Sequence, residues 1–277
     1  MHAGGDLVSQ AMINHYLYAL IHGYDYKFYQ AQKIPDHHDT WILPHVLREL
    51  IPDYQFVVTM DADAMMSHLD LPLEWMFNRW GIANHTSIAM PWDTMETRGN
   101  ASISVDSKGL RVLNTGFVAV QNNALTLRML DAWRDCTSDT RYPGCSAWKT
   151  TWSHEQRAFS EYIRYDFNST PETVVSIPCD DAVGWPGFIA DVGAVNPGIS
   201  DCNGRLVRHY TIRKEKAKEA SGGMVMQALS ELLQKSLLGE GEGEGVWYKE
   251  PEKKNEGEGG DGEAQTEVRE DEKKKGR

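Results

Sequence analysis

The chain has 277 residues, 41% of them hydrophobic, enough to bury one sizeable core with an appendage. Its formal charge of -12 excludes general nucleic-acid binding, which needs a basic face. No stretch reaches the roughly 18 apolar residues that span a membrane, and Met1-His2-Ala3-Gly4-Gly5 has neither the basic nor the apolar part of a signal peptide.

Asp6 to Ile21 is predicted to be a helix, with Leu7, Met12, Leu17, Leu20 and Ile21 on its apolar face and Gly23 as its stop. Tyr24 to Tyr29 is an aromatic, strand-like run. A helix followed at once by a strand is the second half of a βαβ unit, so the chain is expected to begin inside an α/β domain whose first strand is missing. Trp41 to Leu50 reads as a second helix, capped by Asp39 or Thr40 and closed by Ile51-Pro52. Tyr54 to Met60 is a continuous apolar strand, the pattern of a sheet covered on both faces. Asp61-Ala62-Asp63 follows at its carboxyl end, where open α/β sheets bind ligands. Side chains alternate along a strand, so the two carboxylates are expected to aim at one volume and to share a cation or a proton there. A hard divalent ion serving a phosphorylated substrate is the functional reading; a polar turn is the bland one.

Leu73 to Trp80 is predicted as a short helix, Thr86 to Met90 as a strand ending in Pro91-Trp92-Asp93, and Thr94 to Gly109 as a polar surface loop. Leu113-Asn114-Thr115-Gly116-Phe117 opens a buried strand that runs to Val120, and Gly116 lets backbone or ligand come close. Ala124 to Trp133 reads as a helix, Thr137 to Lys149 as a loop, and His154-Glu155-Gln156 as the start of a helix to about Arg164. Thr173 to Ile177 is a strand leading to Asp180 and Asp181, which either contact an acceptor or sit in a plain loop. Asp191 to Gly204 is a glycine-rich loop, and Leu206 to Tyr210 closes the ordered α/β part. Met224 to Leu238 is an amphipathic helix expected to pack on the core. Residues 239–277, with their Gly-Glu repeat and Lys/Glu clusters, are expected to be a disordered tail behind a domain of residues 1–238. Sequons at Asn84, Asn100 and Asn168, with four cysteines that pair plausibly as Cys136 with Cys145 and Cys179 with Cys202, suggest a secretory lumen.

Several of these stretches together resemble a known family. They are Tyr18-Ala19-Leu20-Ile21-His22-Gly23-Tyr24, Met60-Asp61-Ala62-Asp63-Ala64, Leu113-Asn114-Thr115-Gly116-Phe117, Asp131-Ala132-Trp133, His154-Glu155-Gln156 and Arg208-His209-Tyr210. In order and spacing, from about Asn14 to Lys214, they look like fungal nucleotide-sugar transferases of the GT-A fold, nearest the galactosyl/mannosyltransferase group of glycosyltransferase family 34. The resemblance implies an α/β, Rossmann-like mixed sheet flanked by helices. It also implies transfer of a hexose, with retention, from a UDP- or GDP-hexose donor to a glycan or glycoconjugate acceptor.

In such enzymes Asp61, Asp63 and His209 would hold Mn²⁺ (or Mg²⁺), and Lys214 would stand near the diphosphate. Gln156 would lie beside the anomeric carbon and Glu155 at the sugar or acceptor, while Asn114 and Gly116 would line the donor sugar. The family works in the Golgi or secretory lumen, reaching the membrane only through an anchor this sequence does not show. Its nucleotide-gripping first strand is likewise not found here, so the chain reads as N-terminally truncated. Two rival readings are an inactive, carbohydrate-binding paralogue and a haloacid-dehalogenase-type phosphatase with Asp61 as nucleophile. Against the phosphatase, Met65 stands where that motif continues with Thr or Val.

Overall fold

A computed structural model describes residues 3–238 apart from 31, 99–100, 169, 171, 189–199, 201 and 212. The chain divides into two compact units, Met1–Leu233 and Gln234–Arg277. The predicted tail at 239–277 and most of the predicted loop at Asp191 to Gly204 lie outside the described residues.

Among the described residues eight strands form in chain order: β1 (Phe56–Met60), β2 (Ala64–Met66), β3 (Ile88–Pro91), β4 (Thr97–Arg98), β5 (Ala101–Ser102), β6 (Phe117–Gln121), β7 (Val174–Ile177) and β8 (Val207–His209). The main sheet has the order β1-β6-β3-β7 and is mixed: β6 runs antiparallel to both β1 and β3, and β3 is parallel to β7. Two small antiparallel pairs, β2-β8 and β4-β5, accompany it. The helices are α1 (Ala3–His22), α2 (Ile42–Leu50), α3 (Leu73–Arg79), α4 (Ala124–Arg134), α5 (His154–Ala158), α6 (Arg164–Phe167), α7 (Cys179–Ala182) and α8 (Glu215–Leu238). A π-helical turn, Phe159–Ile163, joins α5 to α6.

Strand β6 is buried throughout and divides the core by its alternation. Val118 and Val120 pack with Trp41, Leu47, Leu130, Trp133 and Phe159 on one side. Phe117 and Ala119 pack with Met66, Met76, Trp80, Val175 and Ile177 on the other. Strand β1 has apolar cover on both faces, Val57 against one core cluster and Phe56, Val58 and Met60 against the other, but the cover is partial. It lies at the sheet edge with one neighbour, and only Val57 of its five residues is buried.

Helix α1 forms as predicted, but its buried face is Ala11, Asn14, Tyr18 and Ala19, while Met12, Leu20 and Ile21 are exposed. The reason is polar. The Asn14 side chain accepts from the Met66 N–H at 2.8 Å and donates to the Met66 carbonyl at 3.1 Å, clamping the helix to β2. Gly23, at φ +71°, ends the helix in the left-handed conformation that a glycine supplies cheaply. Residues 24–29 form no strand; instead the Tyr24 hydroxyl accepts from Leu73 N–H and donates to Glu74, so the aromatic run serves side-chain contacts. The first turn before α2 is capped by His38, not by Asp39 or Thr40.

The segment predicted as a surface loop at 94–109 contains β4 and β5 and is anchored by the buried Asp106, which pairs with Arg164. Helix α8 starts earlier than predicted. Ala217 and Ser221 are buried, but Met226, Leu229, Leu232 and Leu233 stay exposed, so only part of the apolar pattern is used in packing. Both cysteine pairs are disulfides, Cys136–Cys145 and Cys179–Cys202. No helix among the described residues is long and apolar enough to cross a membrane.

Candidate functional site

Two strand registers build the site. Met60 at the end of β1 pairs with Phe117 at the start of β6, so Asp61 donates its backbone N–H to the Gly116 carbonyl at 3.0 Å. Ala64 at the start of β2 pairs with His209 at the end of β8, and Tyr210 N–H donates to the Asp63 carbonyl at 2.8 Å. Asp61 and Asp63 are thus joined by a turn, closed by Ala64 N–H on the Asp61 carbonyl, and not by the strand alternation expected from the sequence. The turn leaves Asp61 half exposed while Asp63 and His209 are buried.

His209 Nε2 lies 3.3 Å from Asp63 Oδ1 and 3.6 Å from Asp61 Oδ2. One ligand atom from each of the three residues falls within 4.8 Å of the others. Two carboxylate oxygens and one imidazole nitrogen suit a divalent ion of the Mn²⁺ type, so the donor set fits such an ion. On the far side of the ring, His209 Nδ1 is 3.0 Å from Asn114 Oδ1. That oxygen also accepts from Gly116 N–H at 2.9 Å, so it can only receive a hydrogen from Nδ1. When a divalent ion displaces the Nε2 proton, Nδ1 keeps its hydrogen on Asn114 and the Nε2 lone pair points towards the carboxylates, the orientation a metal ligand needs.

Charge is balanced locally. Lys214 Nζ is 3.2 Å from Asp63 Oδ2. Burial would raise the Asp63 pKa, but His209 and Lys214 together hold it well below the usual carboxylate range. For His209, burial opposes the charged ring, yet the hydrogen bond and charge of Asp63, then Asp61 and Asp93, hold its pKa above the ordinary value.

From His209 a chain of hydrogen bonds runs through the site. Asn114 Nδ2 donates to Asp93 Oδ1 at 2.9 Å, and Gln156 Nε2 donates to Asp93 Oδ2 at 2.8 Å. Gln156 Oε1 accepts from Thr115 N–H at 3.1 Å. The Thr115 hydroxyl lies 3.0 Å from Glu155 Oε1, and the Thr40 hydroxyl donates to Glu155 Oε2. Burial is the main cause that pushes the Glu155 pKa up to about 7, with the hydroxyl of Thr40 opposing it. Burial also raises that of Asp93, against its hydrogen bonds from Asn114 and Thr94 N–H.

The predicted residues Asp61, Asp63, Asn114, Gly116, Glu155, Gln156, His209 and Lys214 thus come together. Gly116 does so for a particular reason: a Cβ there would lie 2.1 Å from His209 Cε1, so the glycine makes room for the ring. Asp180 and Asp181 do not join them. Asp181 is bonded to Arg79 and the Trp80 indole, and Asp180 to Arg205 and Asn203. Sequence reasoning missed Asp93, Thr115 and Thr40. Asp93 carried a signal, because it follows the carboxyl end of β3 as Asp61 follows that of β1.

A glycosyltransferase involved in the glycosylation of the major capsid of PBCV-1 has a similar fold, at TM-score 0.50 and 15% identity, over 78% of this chain and 93% of that one. Mouse xyloside xylosyltransferase 1, in its apo form, aligns at TM-score 0.40 and 12% identity over 74% of each chain. No curated protein matches. Residues 3–226, most of the chain, match the model of a glycosyltransferase family. The chain belongs to the galactosyl transferase GMA12/MNN10 family, and is a glycosyltransferase with a GT-A-like fold.

Proposed function

We propose that this glycosyltransferase moves a hexose, with retention, from a UDP- or GDP-hexose to a glycan or glycoconjugate acceptor in a divalent-metal-dependent reaction. The observation that carries the reading is the convergence of Asp61, Asp63 and His209 to within 4.8 Å, in a chain of this family. These three residues would hold Mn²⁺ or Mg²⁺, which when bound supplies Lewis-acid neutralisation of the charge on a leaving diphosphate.

The remaining roles fall to the chain's own groups. Asn114 fixes the His209 tautomer and lines the donor sugar, while Gly116 serves the site by admitting the His209 ring. Lys214, exposed and paired with Asp63, brings a positive charge for the diphosphate oxygens. Gln156, held at both ends of its amide by Thr115 and Asp93, is a rigid dipole for the anomeric carbon. Glu155 faces sugar or acceptor. A secretory or Golgi lumen fits the two disulfides, which persist in oxidising compartments.

The test is calorimetric binding and hydrolysis of UDP-galactose and GDP-mannose with and without Mn²⁺. Asp61→Ala should abolish Mn²⁺-linked donor binding and leave the fold intact, since Asp61 is half exposed. Donor binding that is unchanged in this variant would sink the assignment.

A further inference from the structure

Trp152 is 62% exposed, and it precedes Glu155 by three residues. Its ring is not loose. It meets His154 edge-on, with centroids 5.8 Å apart and planes at 79°. His154 in turn stacks face to face on His38 at 3.6 Å and 3°. The turn that carries His38 also carries Thr40, whose hydroxyl is bonded to Glu155. His154 has a left-handed backbone, at φ +53°, and it marks a sharp division: Trp152 before it is exposed, whereas Glu155 and Gln156 after it are buried. The three rings thus support one another in series, Trp152 edge-on to His154 and His154 stacked on His38, beside the turn that holds Glu155.

The chemistry of these rings is amphipathic. The indole face is electron-rich, and the axial C–H groups of a pyranose make an apolar face with partial positive charge, so the two stack favourably. A sugar also carries a rim of hydroxyls that need partners. Among the described residues, Trp152 Nε1 and His38 Nε2 make no hydrogen bond, which leaves one donor and one nitrogen at the edge of the platform for that rim. A bare hydroxyl of a protein or lipid would use neither the face nor the rim.

We propose that Trp152 is the platform on which a pyranose ring of the glycan acceptor stacks. The proposal rests on the reading of the neighbouring residues as the active site. The full chain, Trp152→Ala and Trp152→Phe would be titrated with methyl α-D-mannopyranoside and methyl β-D-galactopyranoside by saturation-transfer NMR. Mn²⁺-dependent binding of UDP-galactose and GDP-mannose would be measured alongside. Trp152→Ala should weaken glycoside binding at least about tenfold, Trp152→Phe should stay within about threefold, and donor binding should not change.

Equal glycoside binding by Trp152→Ala overturns the platform. Glycoside bound by no form while donor still binds also overturns it, and leaves the active-site reading standing. Glycoside binding that depends on Trp152 in a chain that binds no donor upholds the platform as a carbohydrate site and removes the active-site reading instead.

Discussion

Gly116 and His209 compete for the volume of a single methyl group: a Cβ on Gly116 would sit 2.1 Å from His209 Cε1 and 2.3 Å from Nδ1. The ring has little freedom to yield, since Asn114 holds one nitrogen and Asp63 faces the other. Gly116→Ala should therefore push the imidazole out of line with the carboxylates. Overpacking of this kind costs about 1–3 kcal/mol, and Mn²⁺ affinity should fall by more than about tenfold, as when a ligand's orienting partner is lost. Thermal unfolding with and without Mn²⁺ checks both; a variant stabilised by Mn²⁺ as strongly as the parent would refute the steric argument.

Asp93 holds Asn114 with one oxygen and Gln156 with the other. In Asp93→Asn one acceptor becomes a donor, so one of the two amides must turn away. Donor binding should survive, but transfer should slow by about a hundredfold, the scale expected when a positioned group moves by about an ångström. The split appears in kcat against KM for the donor. Loss confined to KM would place Asp93 in uniform binding instead.

The Glu155 carboxyl sets a pH dependence with a definite sign. Its folded pKa, about 7, lies above the ordinary 4.5, so the folded state binds the extra proton. Stability is present in full below the unfolded value and is lost as pH rises from about 4.5 to above 7, by about 3 kcal/mol in all. Glu155→Gln should abolish this slope and unfold later than the parent at pH 8. Denaturant midpoints at pH 5, 6, 7 and 8 decide it: parallel curves for the two proteins would contradict the origin given.

The two disulfides should differ in consequence. Cys179–Cys202 closes a separation of 23 residues and Cys136–Cys145 one of 9. Loop-closure entropy gives losses of about 3.5 and about 2.5 kcal/mol for the Cys→Ser pairs. Cys202 also packs its carbonyl against Gly184, where a Cβ would be 2.0 Å away, and the Gly184 carbonyl receives His209 N–H. Removing Cys179–Cys202 should thus also weaken Mn²⁺ binding, and removing Cys136–Cys145 should not. Equal Mn²⁺ affinity in both variants would break the link to His209.

The parts of the fold that the sequence made legible are those where one local pattern dominates. The helix after Asn123, the buried run from Phe117 and the Asp-x-Asp beyond β1 each follow from periodicity or from position at a strand end. What escaped was set by distant partners. Tyr24 to Tyr29 has strand propensity but uses the Tyr24 hydroxyl on α3 and the Tyr29 hydroxyl on α2, and Asn14 puts a polar residue on the buried face of α1 because the Met66 backbone waits there. Asp93 was passed over because its importance lies in bonds to Asn114 and Gln156, 21 and 63 residues away. Gly116 was read as space for a ligand, and the space is taken by a side chain 93 positions later.

Strand β1, which delivers both Asp61 and Asp63, is also the edge strand of its sheet, with four of its five residues only partly buried. Edge strands with little buried apolar area open locally at a fraction of the global unfolding free energy. Each such fraying event would dismantle the acidic pair while β6, β3 and β7 stay formed. An ion that needs both carboxylates binds only the closed form, so occupancy and local order reinforce each other by mass action. The amide protons of Val57, Thr59 and Asp61, which face β6, would then exchange more slowly as Mn²⁺ is added, well before the sheet as a whole gains any protection, which makes this strand a built-in reporter of its own ligand.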